Sequence, residues 1–205
     1  MSEHYFTESP SSQAKRREIT LDLAGRTVSL ETMSGTFSPT RLDPGTAVLL
    51  KHLPDPEPGD LLDLGCGWGP IALHSAFQAS DAEVDVRVWG LDVNSRSLES
   101  TAANAARLGL DSVRTVTADE VPADVQFSAI RSNPPIRVGK DVLHELLETW
   151  LPRLAPGGRA DLVVSKNLGA DSLLTWIREM LGEGFTAERT ASSKGFRILT
   201  IRRDA

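Results

Sequence analysis

The chain has 205 residues, of which 40% are hydrophobic and 24% charged, and its formal net charge is −6. Usage of this kind supplies the core of one domain and excludes a fibrous, collagen-like or wholly disordered chain. The single cysteine, Cys66, excludes an internal disulfide and a cysteine-rich metal site.

The histidines lie in separate segments and never at ligand spacing, so no metal is expected. The longest stretch without formal charge, Leu64 to Ser80, includes Gly65, Gly67, Gly69, Pro70, His74 and Gln78, and it does not read as a membrane helix. The opening residues, MSEHYFTESPSS, lack the apolar stretch and basic head of a secretory signal, and a cytoplasmic location is expected. Acidic excess is concentrated in residues 61–149, whereas the last quarter is net basic without any long run of Lys or Arg. That pattern suits a solvated surface as well as an anionic partner.

In chain order, a polar start gives way to EITLDL and TVSLE, whose alternating apolar positions flank Ala24-Gly25-Arg26 and predict a β-hairpin. Asp43 and Pro44 suit an N-cap and a first helical position, which predicts a short helix from about Pro44 to Leu53. From residue 60, the apolar runs LLDLG, VRVWGLDV, VRTVTA, QFSAIRSN and GRADLVVS alternate with helix-length segments at 70–79, 95–108, 139–151 and 171–181. This alternation predicts a parallel sheet covered by helices on both faces. FTAERT and GFRILTIRR, joined by a short turn at 192–195, read as two further strands that add an antiparallel member to the sheet.

The segment Asp63-Leu64-Gly65-Cys66-Gly67-Trp68-Gly69 follows an apolar strand and precedes a helix, where glycines let the backbone turn sharply and approach a ligand. Its spacing is G-x-G-x-G, not the G-x-G-x-x-G of dinucleotide sites. Asp63 would repel a pyrophosphate but accept a hydrogen bond from a cationic amine. Asp92 ends the second strand, where an acid can hold both hydroxyls of a ribose, and Asp119 follows the third, within reach of an adenine amine. Asp119 alone can equally be a helix cap, and Asp92 less readily so, whereas the conjunction points to an amino-acid-bearing nucleoside.

Ser132-Asn133-Pro134-Pro135-Ile136-Arg137 follows the fourth strand. Two prolines fix two φ angles and remove two N–H donors, so an extended backbone with free carbonyls is expected. The Asn133 amide oxygen and the Pro134 carbonyl can each take one hydrogen of an –NH2 group and align its lone pair. A rigid strand-to-helix turn is the plainer alternative. A nicotinamide dehydrogenase is disfavoured, because Tyr5 is the only tyrosine and no Tyr-x-x-x-Lys pair exists.

DLGCGWG, GLDVN and the TAD segment, together with NPPIRVGK, the upstream GTFSPTRLDPGTAVLL and the downstream SKGFRIL, closely resemble the methyltransferase small-domain family of class I S-adenosylmethionine-dependent methyltransferases. The resemblance covers roughly residues 37–203. It implies an α/β, Rossmann-like sheet of seven strands with the last antiparallel, here over residues 37–205, preceded by an extension with a β-hairpin over residues 1–36. It implies S-adenosylmethionine as cofactor, with Asp63, Gly65 and Gly67 at its methionine end, Cys66 as a small loop residue, Asp92 at the ribose, Asn94 nearby and Asp119 at the adenine. Phe37, Asp43, Gly45 and Thr46 would close over the cofactor and target.

The resemblance further places Asn133, Pro134, Pro135 and Ile136 at the transferred methyl group, since N-P-P is similar to the motif of enzymes that methylate adenine N6, guanine N2 or a glutamine amide. Ile136 stands where many of these have an aromatic that stacks on the base, so Phe37, Trp68 or Phe196 is expected to stack instead. Guanine N2 of ribosomal RNA is the leading substrate. An N6-adenine or protein-glutamine enzyme and a non-catalytic cofactor-binding scaffold stay open. Arg137, Lys140, Lys194 and Arg197 could meet RNA phosphates or form surface salt bridges. The expected partner is ribosomal RNA or the small ribosomal subunit, with no membrane, for a monomer or homodimer.

Overall fold

The computed structural model describes residues 14–205, apart from the side chain of Arg137; the polar start and Tyr5 lie outside the described residues. Strands β1 (Arg16–Leu23) and β2 (Arg26–Met33) pair antiparallel across Ala24 and Gly25, whose φ angles are 46° and 76°. Positive φ at both positions gives the tight turn whose twist matches a hairpin, so Arg26 already belongs to the second strand.

The main sheet contains β3 (Gly59–Leu64), β4 (Val86–Leu91), β5 (Val113–Val116), β6 (Phe127–Ser132), β7 (Leu154–Ser165), β8 (Phe185–Ser193) and β9 (Phe196–Arg203). Their order is β5-β4-β3-β6-β7-β9-β8, and β9, the last strand, runs antiparallel to both neighbours. Helices α1 (Pro44–Leu50), α2 (Pro70–Asp81), α3 (Ser95–Leu108), α4 (Lys140–Trp150) and α5 (Ala170–Leu181) flank it.

Successive strand residues point to opposite faces, and they divide between two cores. Leu61, Val88, Val163 and Ile198 pack with α1, α2 and the hairpin residues Leu23, Val28 and Leu30. Leu62, Trp89, Val164 and Leu199 pack on the other face with Leu143, Leu147 and Trp150 of α4 and Leu173 and Ile177 of α5. Burying each such side chain stabilises by about 1.5–3 kcal/mol. The hairpin therefore shares a core with the sheet. Buried Arg131 of β6 donates to Ser75 Oγ, Gln78 Oε1 and the Pro54 carbonyl, which ties α2 and the loop before β3 to the sheet.

Strand order reverses between β3 and β6, so the connections leave the carboxyl ends of these two strands in opposite directions and open a crevice there. Among the described residues, no helix is long and apolar enough to cross a membrane.

Candidate functional site

The glycine loop after β3 lies at this crevice. Gly65 and Gly67 have φ of 80° and 58°, a conformation that favours glycine, and a β-carbon on either would meet no atom within 4 Å. The glycines thus serve the turn and leave open space above it. Gly65 and Cys66 donate their N–H groups to the Leu91 carbonyl, Gly67 donates to Asp92 Oδ2 at 2.9 Å, and Thr101 Oγ1 donates to the Gly67 carbonyl. Asp92 Oδ1 accepts the Asn94 N–H at 2.9 Å, so one carboxylate fixes both the loop and the start of α3.

A cleft above the loop is lined by Gly65, Leu91, Asp92, Val93, Ser97, Pro134, Pro135 and Leu146. A smaller hollow continues from it to Thr46, Cys66, Gly67 and Trp68. A second cleft, of about 410 Å³, is walled by Ser38, Asp43, Pro134, Ile136, Ser165, Leu168 and Phe196. Phe37 and Asn133 border all three. Val93, Leu146, Ser165 and Leu168 had no signal in the sequence, because a cleft wall drawn from four elements has no sequence pattern.

Phe37 reaches the junction because the segment after β2 is strapped across the carboxyl edge. Asn94 Nδ2 donates to the Gly35 carbonyl, Arg96 donates to the Ser34 carbonyl and Trp68 Nε1 donates to the Ser38 carbonyl. Trp68 is buried in this role, so its ring face is spent on packing, while Phe37 and Phe196 remain at the cleft walls.

The geometry at Asn133 is the most specific feature. Its Nδ2 lies 2.9 Å from Asp43 Oδ1 and 2.9 Å from Thr46 Oγ1. A carboxylate oxygen can only accept, which settles which amide atom faces Asp43. Both amide hydrogens are held, and Oδ1 is directed away from them. Asp43 is itself fixed as N-cap of α1, with Oδ1 accepting from Gly45 N–H at 2.8 Å and Thr46 N–H at 3.0 Å. The carbonyls that follow are not free as expected. Pro135, at φ −77° and ψ 71°, closes a three-residue turn in which Ile136 N–H donates to the Pro134 carbonyl, and Val138 N–H donates to the Pro135 carbonyl. Pro134 keeps its second lone pair.

The remaining predicted residues are placed apart from the cleft surface. Asp63 is fully buried behind the loop, where Oδ2 accepts the Ala72 N–H and Oδ1 has no partner among the described residues. Burial pushes its carboxyl up to about 8; the Ala72 hydrogen bond opposes this and Asp92 adds to it. Burial also raises Asp92, against N–H bonds from Asn94 and Gly67, and it raises the Cys66 thiol, which makes that cysteine inert. Asn94 is buried as the α3 cap. Asp119 is exposed and accepts from Thr117 Oγ1. Lys140 and Lys194 are exposed, and Arg197 is half-buried beside Phe196.

A seven-stranded sheet with one reversed strand, a glycine loop at its switch point and an acid ending the neighbouring strand give the fold of the class I methyltransferases, a class whose cofactor is S-adenosylmethionine. The model of the methyltransferase small domain matches residues 27–200, and the chain belongs to that family. The loop fits the cofactor: open space stands over Gly65 and Gly67, and the orphaned Asp63 oxygen beneath leaves a hydrogen-bonding position unused.

An uncharacterized protein, YbxB of Bacillus subtilis, is 31% identical over 99% of this chain and 100% of its own length. Ribosomal RNA small subunit methyltransferase C of Pseudomonas aeruginosa is 35% identical over 95% of this chain, which spans 57% of that relative. The structure of the Thermus thermophilus 16S rRNA N2 G1207 methyltransferase, in complex with AdoMet and guanosine, superposes with a TM-score of 0.77 at 22% identity. It covers 96% of this chain and 52% of its own.

Proposed function

We propose that the chain transfers a methyl group from S-adenosylmethionine to an exocyclic amine, guanine N2 of ribosomal RNA, in the cytoplasm. The observation that carries this reading is the amide of Asn133, whose two hydrogens are occupied by Asp43 and Thr46, so that its oxygen is left as an oriented acceptor where the clefts meet. The bound cofactor would supply a methyl group on a positively charged sulfur.

The chain's own residues supply position. Asn133 Oδ1 takes one amine hydrogen and the second lone pair of the Pro134 carbonyl takes the other, which turns the nitrogen lone pair toward the cofactor cleft. An amine attacks without prior deprotonation, and its surplus proton leaves to solvent after transfer. Gly65, Gly67 and Asp92 hold the cofactor, with Asp63 beneath the loop, while Phe37 and Phe196 flank the base. The ribosomal RNA relatives support the substrate. So do Lys166 and Lys194, exposed on segments joined by a 2.8 Å bond from Lys166 N–H to the Gly195 carbonyl beside the second cleft.

The test is incubation with isotopically labelled S-adenosylmethionine and unmodified ribosomal subunits, free ribosomal RNA or total protein, followed by digestion and mass spectrometry. Label in N2-methylguanosine is expected. Label in N6-methyladenosine would change the base, label in methylglutamine would move the substrate to protein, and cofactor binding without label would leave a scaffold. Asn133→Ala should lower turnover by about 100-fold with little change in cofactor affinity. A loss of affinity alone would remove the orienting role.

A further inference from the structure

Asp43 uses one carboxylate oxygen for three N–H groups: Oδ1 accepts from Gly45, Thr46 and Asn133 Nδ2. The other oxygen, Oδ2, accepts no hydrogen bond and meets no cation among the described residues. Nor is it an orphaned buried atom, because the half-buried Asp43 side chain forms part of the second cleft's wall. Two residues that line this cleft therefore each keep an acceptor without a partner among the described residues, Asn133 Oδ1 and Asp43 Oδ2, on side chains joined by the hydrogen bond from Asn133 Nδ2 to Asp43 Oδ1. Among the described residues no donor side chain is paired with Asp43 Oδ2.

Such a pair matches a planar ligand that carries an –NH2 group and a ring N–H on adjacent atoms. Guanine presents that edge, with N1–H beside the 2-amino group. Adenine does not, since ring nitrogens with lone pairs flank its exocyclic amine, and a glutamine amide presents a carbonyl oxygen beside its –NH2. A lone pair facing Asp43 Oδ2 would be repelled and left unpaired, and unpaired buried polar groups are the strongest source of discrimination between analogues. We propose that Asp43 is the specificity residue of the acceptor site, its second oxygen accepting the guanine N1–H while Asn133 holds the 2-amino group. This rests on the guanine-methylation reading above and adds the residue that selects the base.

The experiment uses the full chain and an RNA in which the methylated guanosine is replaced by 2-aminopurine, which keeps the 2-amino group but has a lone pair at N1. Wild-type protein should favour guanine by at least about 100-fold in kcat/KM. In Asp43→Asn the side-chain oxygen can keep the cap and the Asn133 contact, and an –NH2 donor replaces Oδ2. The preference should then shift toward 2-aminopurine by about tenfold or more, with cofactor affinity and thermal midpoint close to wild type. The wild-type comparison needs no variant, so it stands even if the substitution unfolds the protein. Equal methylation of both bases by the wild type, or an unshifted preference in folded Asp43→Asn, would overturn the role of Asp43 while leaving guanine methylation in place. Absence of N2-methylguanosine from every RNA would overturn the underlying reading and this one with it.

Discussion

At the scale of single residues, the site is a set of polar groups each held by another, and the holders determine what is left for a ligand. Thr46 Oγ1 and Asp43 Oδ1 take the Asn133 hydrogens, while Asp92 holds Gly67 and Asn94. These two arrangements have opposite kinetic signatures. Thr46→Val removes one acceptor without changing shape, so Asn133 gains freedom and turnover should drop about 10- to 100-fold at nearly constant cofactor affinity. Asp92→Ala releases the loop and loses a charge-assisted acceptor, which should weaken cofactor binding by about 10- to 100-fold. Calorimetric titration with the cofactor and single-turnover rates separate the two, and equal effects on both quantities in Thr46→Val would contradict the positioning role. The Asn133 motif was legible because two prolines after a strand are a local signal. Its partnership with Asp43, ninety positions away, was not, because nothing local marks a contact made by tertiary folding. The burial of Trp68 was hidden for the same reason: an aromatic in a glycine loop looks available until a strap is laid over it.

At the scale of elements, boundaries were readable wherever a cap is written in the sequence. Helix α3 starts after Asn94, whose side chain accepts the Arg96 N–H, and ends at Gly109 with φ 66°, so its span agrees with expectation at both ends. Helix α1 closes at Leu50, not Leu53, because the His52 N–H tightens onto the Leu49 carbonyl and Pro54 then stops the chain. Strand β7 begins at Leu154, ahead of the predicted Gly158, through a shift of register opposite β6 that carries Ala155-Pro156-Gly157 into the strand. The junction of α1 with β9 decides the shape of the second cleft. A β-carbon at Gly45 would stand 2.9 Å from Phe196 Cε1 and 3.0 Å from Asp43 Oδ1, neither of which can withdraw without disturbing the cleft wall or the cap. Gly45→Ala should therefore destabilise by about 1–3 kcal/mol in denaturant unfolding and lower turnover as Phe196 is displaced. An unaltered midpoint with full activity would show that the ring yields freely.

At the scale of the molecule, the hairpin and the sheet behave as one body because they share a core and one buried imidazole. His74 of α2 accepts the Ala24 N–H at the hairpin turn through Nδ1, so its proton sits on Nε2, which is buried without a partner among the described residues. Burial, reinforced by the nearby Arg131 guanidinium and opposed by Asp55, lowers its pKa to about 4. The folded value lies below the unfolded one of about 6.5, so the stability it contributes is complete above that pH and is lost as pH falls toward 4. Asp63 acts in the opposite sense: raised to about 8, it binds its proton more tightly when folded, so its contribution grows on acidification from about 8 toward 4. The wild-type profile sums these trends, and a comparison of variants isolates each. His74→Gln keeps an acceptor for the Ala24 N–H but cannot titrate, so its denaturation midpoint should fall less than that of the wild type between pH 6.5 and 4.5. Protection of the Ala24 amide against hydrogen exchange, taken relative to its intrinsic rate at each pH, should fall over the same range in the wild type alone, because protonation of Nδ1 removes the acceptor that holds the hairpin turn to α2. Parallel midpoint profiles, with Ala24 exchange unchanged by the substitution, would place the link between hairpin and sheet entirely in Leu23, Val28 and Leu30.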